Sequence, residues 1–171
     1  MKRDKKSLKK DAFPQKSERT ILSTQELLSH IRFVVEKEGM FFLTVTGYSM
    51  SPTLKHERDQ VILVSRTCRP EKKGEIVLFC RPFGDCILHR IKKELPDGRL
   101  MMNGDIQSWC EVIRREQIVA VVSEMVRKER RISCDNRVYR AYVWLWMRLF
   151  PCRRGLIRVW GWLHGGRRRA S

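Results

Sequence analysis

Two hydrophobic periods divide the chain. Between Ser23 and Gly39 the apolar residues Leu27, Leu28, Ile31, Val34 and Val35 recur three and four apart, which puts them on one face of a helix. Ser23 and Glu26 make a capping-box pattern at its start, and Gly39 supplies its stop. From Met40 the spacing becomes that of strands. Apolar runs predict strands over Phe41–Val45, Gln60–Val64, Glu75–Phe79, Asp85–Ile91, Arg99–Met102 and Ile118–Met125. Lys72-Lys73-Gly74 turns the chain into the third, and Pro96-Asp97-Gly98 joins the fourth and fifth as a hairpin. Short strands recurring roughly every ten residues predict a mainly β domain with a small, coiled, barrel-like body.

Helical spacing returns over Val138–Phe150, interrupted by Arg140 and Arg148. Pro151 and Gly155 break it, and Leu156–His164 follows. Four of the five tryptophans lie in this region. At ~1.5 Å rise per residue the first stretch is too short to cross a bilayer. Tryptophan and arginine on short amphipathic helices suit a membrane interface; packing on the domain or on a second copy is the alternative. The expected organisation is a flexible basic arm over 1–20, an N-terminal helix over 21–39, a β domain over 40–126 and a basic, Trp-rich helical tail over 127–171.

The formal charge of +17 suggests a nucleic-acid partner until it is located. Residues 1–20 hold eight Lys/Arg against three acids, 21–126 hold 15 against 14, and 127–171 hold 13 against two. The body is nearly neutral and the charge lies in the ends, so a cationic groove through the core is not expected. With no helix-turn-helix pattern either, nucleic acid is an unfavoured partner. The six cysteines show no CxxC, so no zinc site is expected, and most read as small buried hydrophobes in a reducing compartment. The start, MKRDKKSLKKDAF, is positive with no apolar stretch behind it, and no secretory signal is expected.

The chemistry resides in Thr44-Val-Thr-Gly-Tyr-Ser-Met-Ser-Pro-Thr-Leu54. It follows a strand and holds Ser49 in a turn. Forty residues on, His89 lies inside the apolar strand ILHRIKK. A serine and a histidine are the minimal parts of an activated nucleophile, the imidazole taking the hydroxyl proton as attack begins.

TGYSMSPTL, RDQVILV, GEIVLF, ILHRI, NGD and EQIVAVV occur in that order with short gaps. Over about residues 40–125 this series resembles the signal peptidase I-like family of serine peptidases, related to the self-cleaving domain of SOS-type repressors. The resemblance implies a small coiled β-barrel-like catalytic domain of the signal-peptidase/repressor type. It makes Ser49 the nucleophile and His89 the general base, as in the histidine branch. The third member is expected to be Asp105 of the Gly-Asp turn, with Glu111 as the alternative; Asp85 is a weaker candidate that caps a turn.

Gly47 stands where bacterial members carry an oxyanion-binding hydroxyl. Main chain around Tyr48 and Ser49 is therefore left to meet the oxyanion, and the Tyr48 ring to narrow the cleft. Met50 and Pro52 are expected to contact substrate. No cofactor or metal is expected. The function implied is a serine endopeptidase removing a leader or signal-like peptide from a precursor. The alternative is a catalytically weak or inactive module of the same fold that binds a peptide or a membrane. The expected location is cytoplasmic, or peripheral at the cytoplasmic membrane face with the 138–171 segment against anionic lipid.

Overall fold

The computed structural model describes residues 24–82, 85–153 and 155. The basic arm, the Ser23 cap and the Leu156–His164 segment lie outside the described residues. Helix α1 (Thr24–Lys37) buries Ile31 and Val35, one turn apart, against Val45, Met50 and Leu78. It ends at Gly39, whose φ of 83° is the left-handed conformation that glycine adopts without a Cβ penalty.

Among the described residues eight strands follow: β1 (Phe41–Thr44), β2 (Asp59–Val64), β3 (Ile76–Cys80), β4 (Cys86–Glu94), β5 (Leu100–Asn103), β6 (Glu111–Ile113), β7 (Ile118–Arg127) and β8 (Arg130–Ser133). All pairings are antiparallel, in the order β1-β2-β7-β3-β4-β5-β6, with β8 on β7. The domain is mainly β, as the strand spacing predicts. It is not a closed barrel: the short strands β1 and β6 end the sheet without pairing to each other. Register shifts at Ile62/Leu63, Leu78/Phe79 and Ile91/Lys93 supply bends.

The six expected strands are present, with ends displaced by three residues or fewer. Two strands carry no readable pattern. β6 has three residues, and β8 (RRIS) has one apolar side chain. β8 forms because Lys128 and Glu129 at φ 48° and 64° make a tight two-residue turn that returns the chain along β7. The sheet therefore runs beyond residue 126.

Alternation along the central strands makes two cores. Ile76, Leu78, Ala120 and Val122 face the α1 side; Val77, Phe79, Ile91, Leu100, Met102 and Val121 face the other. Helix α2 (Arg137–Arg148) is capped by Asn136, whose Oδ1 accepts from the N–H groups of Val138 (2.9 Å) and Tyr139 (3.3 Å). Val143 is buried and Tyr139 packs on the core, so one face of this helix belongs to the domain. A 3-10 turn over Phe150–Cys152 follows at Pro151.

The expectation for the cysteines needs correction. Cys134 is buried, but Cys68 and Cys152 are exposed, Cys80, Cys86 and Cys110 are half-buried, and no disulfide joins the six. Among the described residues no helix is long and apolar enough to cross a membrane.

Candidate active site

β1 delivers the chain into a turn that begins at Val45. Gly47 lies at φ 87°, and its N–H donates to His56 Nδ1 at 3.0 Å. Met50 is buried, and its carbonyl accepts from the Leu54 N–H at 2.9 Å. Ser49 is thereby held half-buried on the wall of a cleft of about 570 Å³. His89, Met50, Trp109, Arg81 and Asp85 also line this cleft, as do Leu27 and Ile31 from α1.

His89 and Arg90 are neighbours on β4 and therefore point to opposite faces. His89 pairs across the sheet with Val77, 1% exposed, its ring 6.0 Å from that of Phe79 and 6.4 Å from that of Trp109. Its Nδ1 lies 3.1 Å from Glu111 Oε1, but the approach is off the hydrogen-bond line and Nδ1 has no well-directed partner. Glu111 is held in turn by Arg81, whose Nε and Nη2 donate to its two oxygens at 2.8 and 2.9 Å. Burial pushes the His89 imidazole below its ordinary pKa. Glu111 pulls it up again, and the Arg81 charge lowers it.

Arg90 turns the other way, and Asp105 goes with it. Arg90 Nε and Nη2 donate to the two Asp105 oxygens at 2.9 and 2.7 Å, both residues being buried. The Thr53 hydroxyl also donates to Asp105, and Arg90 Nη1 donates to the Gly74 carbonyl at 2.7 Å. The carboxylate against His89 is thus Glu111, and the placement of Asp105 there is corrected. The physical reason is alternation along β4, which puts Arg90 on the face opposite the imidazole, where its guanidinium holds Asp105 of the turn after β5.

The Gly-Asp turn still serves the serine, through the backbone. The Ile106 N–H donates to the Ser49 carbonyl at 3.0 Å, and a Cβ on Gly104 would lie 2.8 Å from that same oxygen. Only glycine permits this approach. Asp105 bonds Thr53 further along the serine loop, so the turn grips that loop at two points.

Two further expectations, for Tyr48 and Pro52, are changed. The Tyr48 ring is 67% exposed and packs against His56 with centroids 4.9 Å apart, and it does not line the cleft. Pro52 is exposed and outside the lining, whereas Met50 is in it. Asp85 lies on the rim, where its carbonyl accepts from the Arg81 N–H at 2.9 Å. Arg81 and Trp109 are site residues that sequence reasoning passes over, because nothing in their spacing separates them from an ordinary hairpin charge and a loop aromatic.

A mainly β domain that brings a loop serine and a buried histidine to one cleft has the layout of a serine peptidase fold. The chain belongs to the Peptidase S24-like family, whose model matches residues 11–124, two thirds of its length. The match covers the cleft, α1 and most of β7. No curated protein and no solved structure matches the chain.

Proposed function

We propose that the protein is a serine endopeptidase that hydrolyses a peptide bond in a leader or signal-like segment of a precursor. The observation that supports it most is the set of Ser49 and His89 on one cleft with Glu111 at the Nδ1 edge of the imidazole. The Glu111 contact favours the tautomer protonated at Nδ1, which leaves Nε2 as the base. Nε2 takes the Ser49 proton as Oγ attacks the scissile carbonyl. The proton then passes to the leaving amine, and water releases the acyl group from Ser49 by the same base. Main chain at the Tyr48–Ser49 turn meets the oxyanion, since Gly47 brings no hydroxyl.

The substrate binds extended. β1 ends the sheet, and Leu43 and Thr44 on it, with the following Val45, line the cleft beside Ser49; a peptide added to that edge passes the nucleophile as an extra strand. The apolar lining from Leu27, Ile31, Leu78 and Leu88 suits apolar side chains at alternate positions.

Product masses after incubation with candidate precursors test this reading. Wild-type protein should cleave and react with a serine-directed acylating probe. Ser49→Ala should do neither, and His89→Ala should lose on the order of 10²–10⁴-fold in rate. The off-line His89–Glu111 contact favours a second reading, a binding module of the same fold with weak or no catalysis. A folded wild-type protein that never acylates but binds extended peptides would select that second reading.

A further inference from the structure

We propose that the outward face of α2, with the groove along its flank, docks on an anionic phospholipid bilayer. α2 is apolar on two sides. Tyr139 and Val143 pack inward, while Val138, Trp144 and Leu145 are 78%, 61% and 51% exposed. These three stand among Arg137, Arg140 and Arg148, and the first turn of the helix holds no acidic residue. The Arg148 guanidinium lies 5.0 Å over the Trp144 ring. An aromatic body and a cationic head side by side match the boundary between acyl chains and headgroups.

A groove of about 540 Å³ opens beside this face, between α2, the turn that leads into β3 and the C-terminal end of β4. Its rim carries Lys73, Lys93, Arg140 and Arg148, and Val143 and Met147 line it within. The acid in its wall, Glu75, is already taken by Arg69 at 2.9 Å, and Arg140 has only a long contact of 3.7 Å with exposed Asp135. The groove is therefore cationic with an apolar interior. Phospholipid offers a phosphate for the rim and hydrocarbon for Trp144 and Leu145.

Charge chooses between occupants. Residues 127–171 hold 13 Lys/Arg against two acids and 1–20 hold eight against three, whereas 21–126 are nearly balanced, so attraction to an anionic surface comes from the two ends of the chain, and α2 belongs to the more basic one. A second copy would bring the same arginines against each other. The proposal is independent of catalysis at Ser49.

Co-sedimentation of the full chain with vesicles tests it, together with tryptophan emission. Binding to mixed phosphatidylglycerol–phosphatidylcholine vesicles is expected, with a blue shift, weakened by salt and absent on pure phosphatidylcholine. The double variant Trp144→Glu/Leu145→Glu should lose binding by on the order of tenfold or more, and Lys73→Glu/Lys93→Glu should weaken it similarly. Circular dichroism of each variant should match wild type, since the altered side chains are exposed.

Vesicle binding left unchanged by Trp144→Glu/Leu145→Glu would overturn the proposal, as charge elsewhere would then suffice. Complete competition by millimolar inorganic phosphate would overturn it in favour of a free-anion site. A soluble dimer abolished by the same double variant, with no vesicle binding, would assign the face to self-association instead.

Discussion

Glu111 stands between two cations of different kind, the fixed guanidinium of Arg81 and the titratable imidazole of His89. Burial keeps the imidazole neutral further into acid than an ordinary histidine, and Arg81, which donates to both carboxylate oxygens, adds a smaller lowering through its own charge. Replacing it by Arg81→Gln leaves Glu111 to act on His89 alone, so the His89 pKa should rise. The acid limb of kcat/KM should move to higher pH in that variant, and to lower pH in Glu111→Gln, read from full pH profiles on a peptide substrate. Asp105 behaves differently. It and Arg90 are a buried pair, and Asp105→Ala leaves an unpaired guanidinium in the core. Denaturant unfolding should show a loss of about 3–5 kcal/mol. Neither role is written in the local sequence: Asp105 belongs to the better-matched motif, yet the sense of the pleat on β4 assigns the imidazole to Glu111.

At the scale of elements, the serine loop is only as well placed as the turn that grips it. Gly104 lies against the Ser49 carbonyl, and Ile106 donates to it. Gly104→Ala must displace that carbonyl or the turn by a few tenths of an ångström or more. A shift of that kind at Ser49, the proposed nucleophile, is expected to cost on the order of 10²-fold in acylation rate with a serine-directed probe, at little cost in helix or strand content by circular dichroism. The long strands and the Pro96–Gly98 hairpin are legible because their periodicity spans enough residues to be distinct. β8 is not, because its formation rests on the Lys128-Glu129 turn and on the unpaired edge of β7, which no pattern within RRIS reports.

For the whole molecule, two buried groups should contribute to acid sensitivity at different pH. Burial alone would raise the Asp59 carboxyl, but hydrogen bonds from Arg58 and Arg127 and from the Lys55 N–H outweigh it and hold the pKa at about 2, below its ordinary 3.8. Its contribution is present above pH ~4 and is lost as pH falls toward 2, about 2 kcal/mol in all. His89 acts in the same direction at higher pH. Its folded pKa is lowered, so the unfolded chain binds the extra proton first and stability falls as pH drops below the ordinary 6.5. Urea unfolding from pH 7 to 2 should show both losses. Asp59→Asn should flatten the lower one and His89→Gln the upper one.

By itself the sequence determined the mainly β class, the helix before it, the helix after it, and the pairing of a Gly-x-Ser-Met-x-Pro turn with a histidine-bearing strand. These are local properties, set by side-chain period, turn chemistry and the order of short motifs along the chain. Tertiary structure alone decided that the sheet stays open, that β8 extends it, that Tyr48 turns toward His56, and that Glu111 with Arg81 meets His89 while Asp105 anchors Arg90 and Thr53. Each of these depends on which face of a strand meets which loop across the fold. Contacts between residues 15 to 52 positions apart are governed by pleat, register and burial together, and no window of sequence carries that information.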